Sequence, residues 1–292
     1  MNTRQFGHHD FKVSALGYGG GHIGSPQLSK ADVETLLHTL LDWGITLFDT
    51  APSYGESEAR IGKAFRHKRE QVILSTKVGY GIAGIQDWTY PCIIQGVDRA
   101  LQRMQTDYLD VVHFHSCPLH VLEQGEVTGA LLETVKAGKV RVAAYSGENE
   151  ALAYAIQSGH FGSVQTSVNL TDQYSLSALL PQAKAQHMGV IAKRPMANAF
   201  WRFNTAPTGD YCETYWHRWQ AMALQFELPM AELALRFAAF APGVDSCIIG
   251  STNLHHLHAN LRTLEAGPLP RDVISAITHA FTQQGDHWQG EI

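Results

Sequence analysis

The stretch Gly44-Ile45-Thr46-Leu47-Phe48-Asp49-Thr50-Ala51-Pro52-Ser53-Tyr54-Gly55 decides how the chain is read. A short apolar run, residues 45–48, ends in an aspartate. A loop of small residues then carries a tyrosine, and residues 56–65 have the character of a helix. A buried strand that delivers polar groups at its carboxyl end is how many α/β enzymes present their chemistry.

The same unit recurs on both sides of this stretch. Candidate strands lie at residues 13–19, 45–48, 72–76, 109–114, 140–145, 163–167, 190–192 and 246–249. Helical segments alternate with them at 30–43, 56–65, 93–104, 122–137, 150–158, 175–187, 213–226 and 230–239, and two more close the chain at 253–261 and 271–282. In the first helix Val33, Leu36, Leu37, Leu40 and Leu41 recur at three- and four-residue spacing, which makes one apolar face. Ser29 is placed as its N-cap and Gly44 as its stop. Each unit is on the βαβ scale. Eight of them without a linker-like break predict an α/β fold, a (β/α)8 TIM barrel in one domain over residues 1–292. A doubly wound sheet would want a GxGxxG turn opening directly into a helix. Gly17-x-Gly19-Gly20-Gly21-x-x-Gly24 matches only loosely, because the helix starts near Lys30.

The totals narrow the partners. The chain is 45% hydrophobic and 17% charged, as an ordinary globular protein is, and its net charge of -5 argues against nucleic acid. Cys92, Cys117, Cys212 and Cys247 contain no CxxC pair, so free buried thiols are expected. Residues 1–12 are polar, and no apolar run approaches the roughly 18 residues a membrane span needs. A cytoplasmic protein without membrane contact is expected, as a monomer or weak homo-oligomer. The histidine clusters His8-His9 and His255-His256-His258 read as polar surface, not as a metal site.

In a barrel all carboxyl strand ends share one face. Here they are Gly19-Gly20, Asp49 with Tyr54, Lys77, His115, Ser146, Gln165, Lys193-Arg194, and Gly250-Ser251-Thr252-Asn253. The opposite ends read Gly44, Gln71, Lys139 and Gly189, so the reactive side chains collect on one face. His113-x-His115 imitates the paired ligands of metal-dependent barrel hydrolases, but later strand ends supply no further ligands, and no metal is expected. His113 reads as a core histidine beneath the site.

Asp-Thr-Ala-x-x-Tyr-Gly at 49–55, Ser-Thr-Lys at 75–77, Asp-Tyr-Leu-Asp-x-x-x-x-His at 107–115 and Ile-Gly-Ser-Thr-Asn at 249–253 resemble the aldo-keto reductase family, in order and spacing, from about residue 14 to 260. The resemblance implies a barrel and a catalytic tetrad of Asp49, Tyr54, Lys77 and His115. Hydride transfer to a carbonyl leaves charge on oxygen, so a proton donor must stand close by. A free tyrosine, with a pKa near 10, is a weak acid for this task, and a neighbouring ammonium makes it a stronger one. Asp49 would hold Lys77 charged, and a neutral His115 would orient the substrate oxygen.

A nicotinamide cofactor is implied as hydride donor, with NADPH expected and NADH possible. By resemblance Ser146 and Gln165 grip the carboxamide. The family's asparagine is Gly147 here, so one carboxamide hydrogen bond is either missing or supplied by Asn149. Lys193-Arg194 stands where many members carry an aromatic, and Arg194 is expected at the pyrophosphate. Gly250 and His256 stand where a Lys and an Arg normally cradle the 2′-phosphate. Ser251, Thr252, Asn253 and Asn260 are compatible with cofactor binding, as are Gly20 and Gly21. Tyr18, Tyr80, Trp88, Phe114 and Trp201 are the candidates to line a pocket for a small carbonyl compound or sugar. The tail, residues 283–292, either closes over the site or frays. Two competing functions are a slow nicotinamide-binding redox-sensing module and a metal-dependent barrel hydrolase.

Overall fold

Eight apolar strands close into a parallel barrel in the computed structural model, which describes every residue except Asp286. The barrel strands are β3 (Leu16–Gly19), β4 (Leu47–Asp49), β5 (Ile73–Val78), β6 (Leu109–His115), β7 (Val140–Ser146), β8 (Ser163–Ser167), β9 (Gly189–Lys193) and β10 (Ser246–Ile249). β10 pairs with both β9 and β3, which removes every edge. Between the strands run α1 (Lys30–Asp42), α2 (Ser57–Phe65), α3 (Tyr90–Met104), α4 (Leu119–Gln124), α5 (Glu126–Lys136), α6 (Asn149–Gln157), α7 (Tyr174–Ala178), α8 (Leu180–Ala185), α9 (Glu213–Met222) and α10 (Met230–Ala239). The chain closes with α11 (Leu254–Glu265) and α12 (Arg271–Gln284). The α/β barrel expected from the alternation is therefore the observed fold.

Several boundaries differ from the sequence reading, each for a local reason. The first predicted strand divides in two. Lys12–Ser14 (β2) pairs antiparallel with Thr3–Gln5 (β1), and only Leu16–Gly19 enters the barrel. Ser14 makes the corner, its hydroxyl bonding the Leu16 carbonyl and accepting from Thr46 N. This hairpin plugs the barrel floor, where Phe6 and Val13 pack on Leu47, Val111, Val142 and Ile191. The helix expected over 122–137 breaks at Gly125, whose φ of +77° a side chain would resist. The helix expected over 175–187 breaks at Leu179, because Pro181 can neither donate to nor pack under the preceding turn. α3, conversely, starts before Pro91, since a first-turn proline costs no hydrogen bond.

Strand parity sorts the barrel side chains. Inward positions change from apolar to polar toward the carboxyl end: Ile73, Ser75, Lys77 on β5 and Val111, His113, His115 on β6. The outward residues Phe48, Leu74, Val112, Phe114 and Tyr145 pack beneath the helices in the large outer core. All four cysteines are buried and unpaired. Among the described residues no helix is long and apolar enough to cross a membrane.

α2 and α3 meet at Gly62, where an added Cβ would lie 2.4 Å from the Met104 backbone. Gly62→Ala should therefore lower stability by about 1–3 kcal/mol, the usual penalty of overpacking. Urea unfolding measures this, and an unchanged midpoint would contradict the close helix contact.

Candidate active site

The carboxyl ends of β4, β5, β6, β7 and β8 bring their polar side chains to one point. The Lys77 Nζ donates to Asp49 Oδ2 at 2.7 Å and to the Thr50 carbonyl at 2.9 Å. The other Asp49 oxygen accepts from Ser75 Oγ at 2.7 Å and from Gln165 Nε2 at 3.0 Å. Ser146 Oγ donates in turn to Gln165 Oε1 at 3.0 Å. Asp49 and Lys77 are each only 2% exposed. Burial pushes the Asp49 carboxyl up, but Lys77 overrides it and holds the group below its ordinary value. Burial likewise pushes Lys77 down, and Asp49 prevails and raises it. Both groups are charged, as a buried pair with its remaining valences filled can be.

Tyr54 reaches this pair because its loop is clamped. The Tyr54 carbonyl accepts from Ser57 N, and Glu56 N bonds the Gly24 carbonyl. Gly24 and Gly55 meet so closely that a Cβ on Gly24 would overlap the Tyr54 carbonyl. The Tyr54 ring stands 5.4 Å from the Lys77 ammonium and edge-on to His115, with centroids 6.2 Å apart. Burial, then the charges of Lys77 and Lys193, lower the His115 pKa to about 3, so its ring is neutral. His113, one layer below, is lowered to about 3, again chiefly by burial, and pairs through Nε2 with Ser75 Oγ at 3.1 Å.

A cleft of about 1160 Å³ opens above these groups. It runs from Asp49, Tyr54, Lys77 and His115, past Ser146, Gln165 and Lys193, to Gly250, Ser251, His256 and Asn260 on the β10–α11 side. Gly21, Arg194 and Trp201 also face it. Gly20 lies just behind this wall: its amide bonds the Asp49 carbonyl at 2.7 Å, and a Cβ there would meet Ser57 Oγ at 2.7 Å. Thr252 is exposed beside the cleft, and Asn253 is occupied as the N-cap of α11, accepting from His255 N at 2.9 Å.

Of the five expected pocket residues Trp201 faces the cleft, whereas Tyr18, Tyr80, Trp88 and Phe114 are not on its wall. Tyr18 and Phe114 are completely buried and sit on the outward face of β3 and β6. Tyr18 donates to the Ser251 carbonyl and packs on Phe48, while Phe114 packs on Trp88 and Phe161. Strand alternation turns both away from the cleft. Tyr80 stacks on His115, and Trp88 supports Tyr80 from the side. Asn149 is not free for a carboxamide either. It holds the Gly290 backbone by two hydrogen bonds, at 2.7 and 3.0 Å. The departure at Gly147 has a steric cause, because any Cβ there would lie 2.6 Å from the Tyr145 hydroxyl.

The wall after β9 contains features with no sequence signal. Glu148 is buried, receives Ser167 N and Thr166 Oγ1, and pairs with Lys193 at 3.2 Å. Burial lowers the Lys193 pKa, and Glu148 only partly opposes this. Arg194 has a φ of +53° and is turned toward the tail, bonding the Glu291 carbonyl and the Tyr211 hydroxyl. Its guanidinium is thus engaged on the protein, not held free for a pyrophosphate. Residues 289–292 do not fray. Arg218 holds the Gln289 carbonyl and the Glu291 carboxylate, Asp172 accepts from Glu291 N, and Ile292 faces the cleft. Asp286, inside the tail considered above, lies outside the described residues.

The donor set fits a nicotinamide dinucleotide. At the inner end stand the Ser146 hydroxyl and the Gln165 amide, and at the outer end the amino terminus of α11, a natural place for phosphate. The model of the "Aldo/keto reductase family" matches residues 15–281. The chain is 30% identical to an L-galactose dehydrogenase of Arabidopsis thaliana over 68% of this chain and 66% of that protein. It is 35% identical to the aldo-keto reductase YhdN of Bacillus subtilis (strain 168) over 59% of this chain and 55% of that one. The matched region thus spans less than two thirds of the length of these two relatives. The holo form of the aldo-keto reductase AKR11C1 from Bacillus halodurans superposes with a TM-score of 0.82 at 25% identity, covering 96% of both chains. The family model spans the barrel and every strand end that builds the cleft, and the chain belongs to the aldo/keto reductase family.

Proposed function

We propose that this protein interconverts a small carbonyl compound (an aldehyde, ketone or sugar) and its alcohol, using NADPH in preference to NADH. The observation that carries the reading is the buried Lys77–Asp49 pair beside Tyr54 and a neutral His115 at the mouth of the barrel. When bound, the nicotinamide supplies the hydride. The protein's own part is to place the substrate oxygen and to give or take a proton there.

Tyr54 is the proton donor in this reading. The Lys77 ammonium stands 5.4 Å from its ring, and Asp49 keeps that ammonium charged and fixed. His115, neutral, offers an N–H to the substrate oxygen. Ser146 and Gln165 hold the carboxamide, and Lys193 lines the same stretch of the cleft with its charge tied back to Glu148. Trp201 and Ile292 supply apolar surface around the substrate.

Tyr54→Phe should reduce turnover of an aromatic aldehyde by about 10²–10⁴-fold, the range for losing a general acid. Near-normal NADPH oxidation in that variant would refute the assignment, and cofactor binding without turnover in the wild type would favour a redox-sensing module. Lys77→Met strands a buried carboxylate and should cost about 3–5 kcal/mol. Pairing it with Asp49→Asn should restore much of the stability but none of the activity, as thermal unfolding and turnover assays would reveal.

The neutral histidines also set a pH dependence. His113 and His115 titrate at about 3 in the folded chain, and near 6.5 when unfolded. Below pH 6.5 the unfolded chain binds more protons, so stability is complete above that pH and is lost progressively as pH falls toward 3. The unfolding midpoint should drop between pH 7 and 5. A flat profile would show that these rings are not buried neutral.

At the adenosine end, a side chain on Gly250 would have to displace its neighbours by a few tenths of an ångström. A Cβ would lie 3.0 Å from the Gly19 carbonyl and 3.1 Å from the His22 ring. His256 faces the cleft and is exposed. His256→Arg should favour NADPH over NADH by up to about fivefold, the worth of one exposed ion pair. An unchanged ratio of the two dissociation constants would place the 2′-phosphate elsewhere.

A further inference from the structure

Tyr80 follows Lys77 by three residues, yet its ring returns over the site. Gly79 makes this possible with a φ of +137°, and a Cβ there would strike the Trp88 ring at 2.2 Å. Trp88 N donates back to the Gly79 carbonyl at 2.7 Å. The Trp88 ring meets Phe114 and Tyr80 edge-on, each 6.1 Å away. So supported, Tyr80 lies parallel to His115, with centroids 5.4 Å apart and planes 22° apart. Its hydroxyl is 2.5 Å from His115 Nδ1 and 3.4 Å from Ser53 Oγ.

We propose that Tyr80 is a positioning residue that fixes the tautomer and plane of His115, so that Nε2 carries the proton and presents it to the substrate oxygen. A phenol O–H is a far stronger acid than a neutral imidazole N–H, and an imidazole lone pair is a better acceptor than a phenol oxygen. The proton in the short contact therefore rests on the Tyr80 oxygen, and Nδ1 accepts. A neutral imidazole has one N–H, so Nε2 is then the donor. Ser53 Oγ, at 3.4 Å, is the more distant acceptor for the same hydroxyl proton and competes only weakly with Nδ1 at 2.5 Å. The direction runs Tyr80 to His115 to substrate, beside the loop that carries Tyr54. With the opposite tautomer, Nε2 would bring a lone pair to a carbonyl oxygen and repel it. The stacked ring also keeps His115 from turning about its side-chain bond.

The assignment of the proton stands independently of turnover. What it does for the substrate rests on the carbonyl-reductase reading above. The test is ¹⁵N NMR of the histidine-labelled protein, with His115 identified by its absence in His115→Gln. In the wild type Nδ1 should be unprotonated and hydrogen-bonded, and Nε2 protonated. In Tyr80→Phe, which keeps the ring, the Nδ1 signal should move toward the averaged position of a freely exchanging imidazole. The same variant should lose kcat by roughly tenfold, about the worth of one hydrogen bond, while its dissociation constant for NADPH stays within about twofold. A protonated Nδ1 in the wild type, an unmoved signal in Tyr80→Phe, or an unchanged kcat in that variant would each overturn the proposal. Full turnover in Tyr54→Phe would instead overturn the reductase reading, and the NMR result would stand apart from it.

Discussion

A lysine ammonium cannot be taken inside a barrel unless its charge is answered, and the Lys77–Asp49 contact of 2.7 Å is that answer. Much of the upper barrel follows from it. The remaining lone pairs of Asp49 are filled by Ser75 and Gln165, and Gln165 is itself fixed by Ser146, so four strands are tied through one carboxylate. The histidines nearby must then stay neutral, because burial and two ammonium groups act on them at once. A second buried pair, Lys193 with Glu148, balances the other cation near His115. Two ammonium groups thus stand at the barrel mouth, each held by its own buried carboxylate.

The lower half of the barrel has the opposite character. Phe6 and Val13 from the amino-terminal hairpin close the floor over Leu47, Val111 and Ile191, with no ionisable group among them. An apolar plug below and a charged mouth above divide the labour along one axis. The floor supplies burial and rigidity, and the mouth carries the groups whose placement costs stability. The tail joins the mouth as a wall, held through its backbone by Asn149, Arg218 and Asp172.

The departures from the family pattern on the later strands have physical causes that lie outside the motifs. A Cβ on Gly147 would lie 2.6 Å from the Tyr145 hydroxyl, and one on Gly250 would crowd the Gly19 carbonyl and the His22 ring at 3.0 and 3.1 Å. Arg194 follows a left-handed turn and is aimed at Tyr211 and the tail. The neighbours that constrain these positions are 2 to about 230 residues away in the chain.

The barrel was legible in the sequence because strand–helix alternation is local, and so was the collection of Asp49, Lys77, His115, Ser146 and Gln165 on one face. In a closed parallel barrel that face is dictated by chain direction. Tyr18 and Phe114 could also have been excluded from the pocket by the same means. Each sits one residue from an inward position, and strand parity turns it outward. What only the tertiary structure decided is pairing at long range: Glu148 under Lys193, Arg194 on the tail, the hairpin under the floor, and Tyr80 on His115. No periodicity encodes such contacts, because they depend on which surfaces meet once the ring of strands has closed. The residues that meet at the barrel mouth are therefore written in the chain, while the state each is held in belongs to the fold.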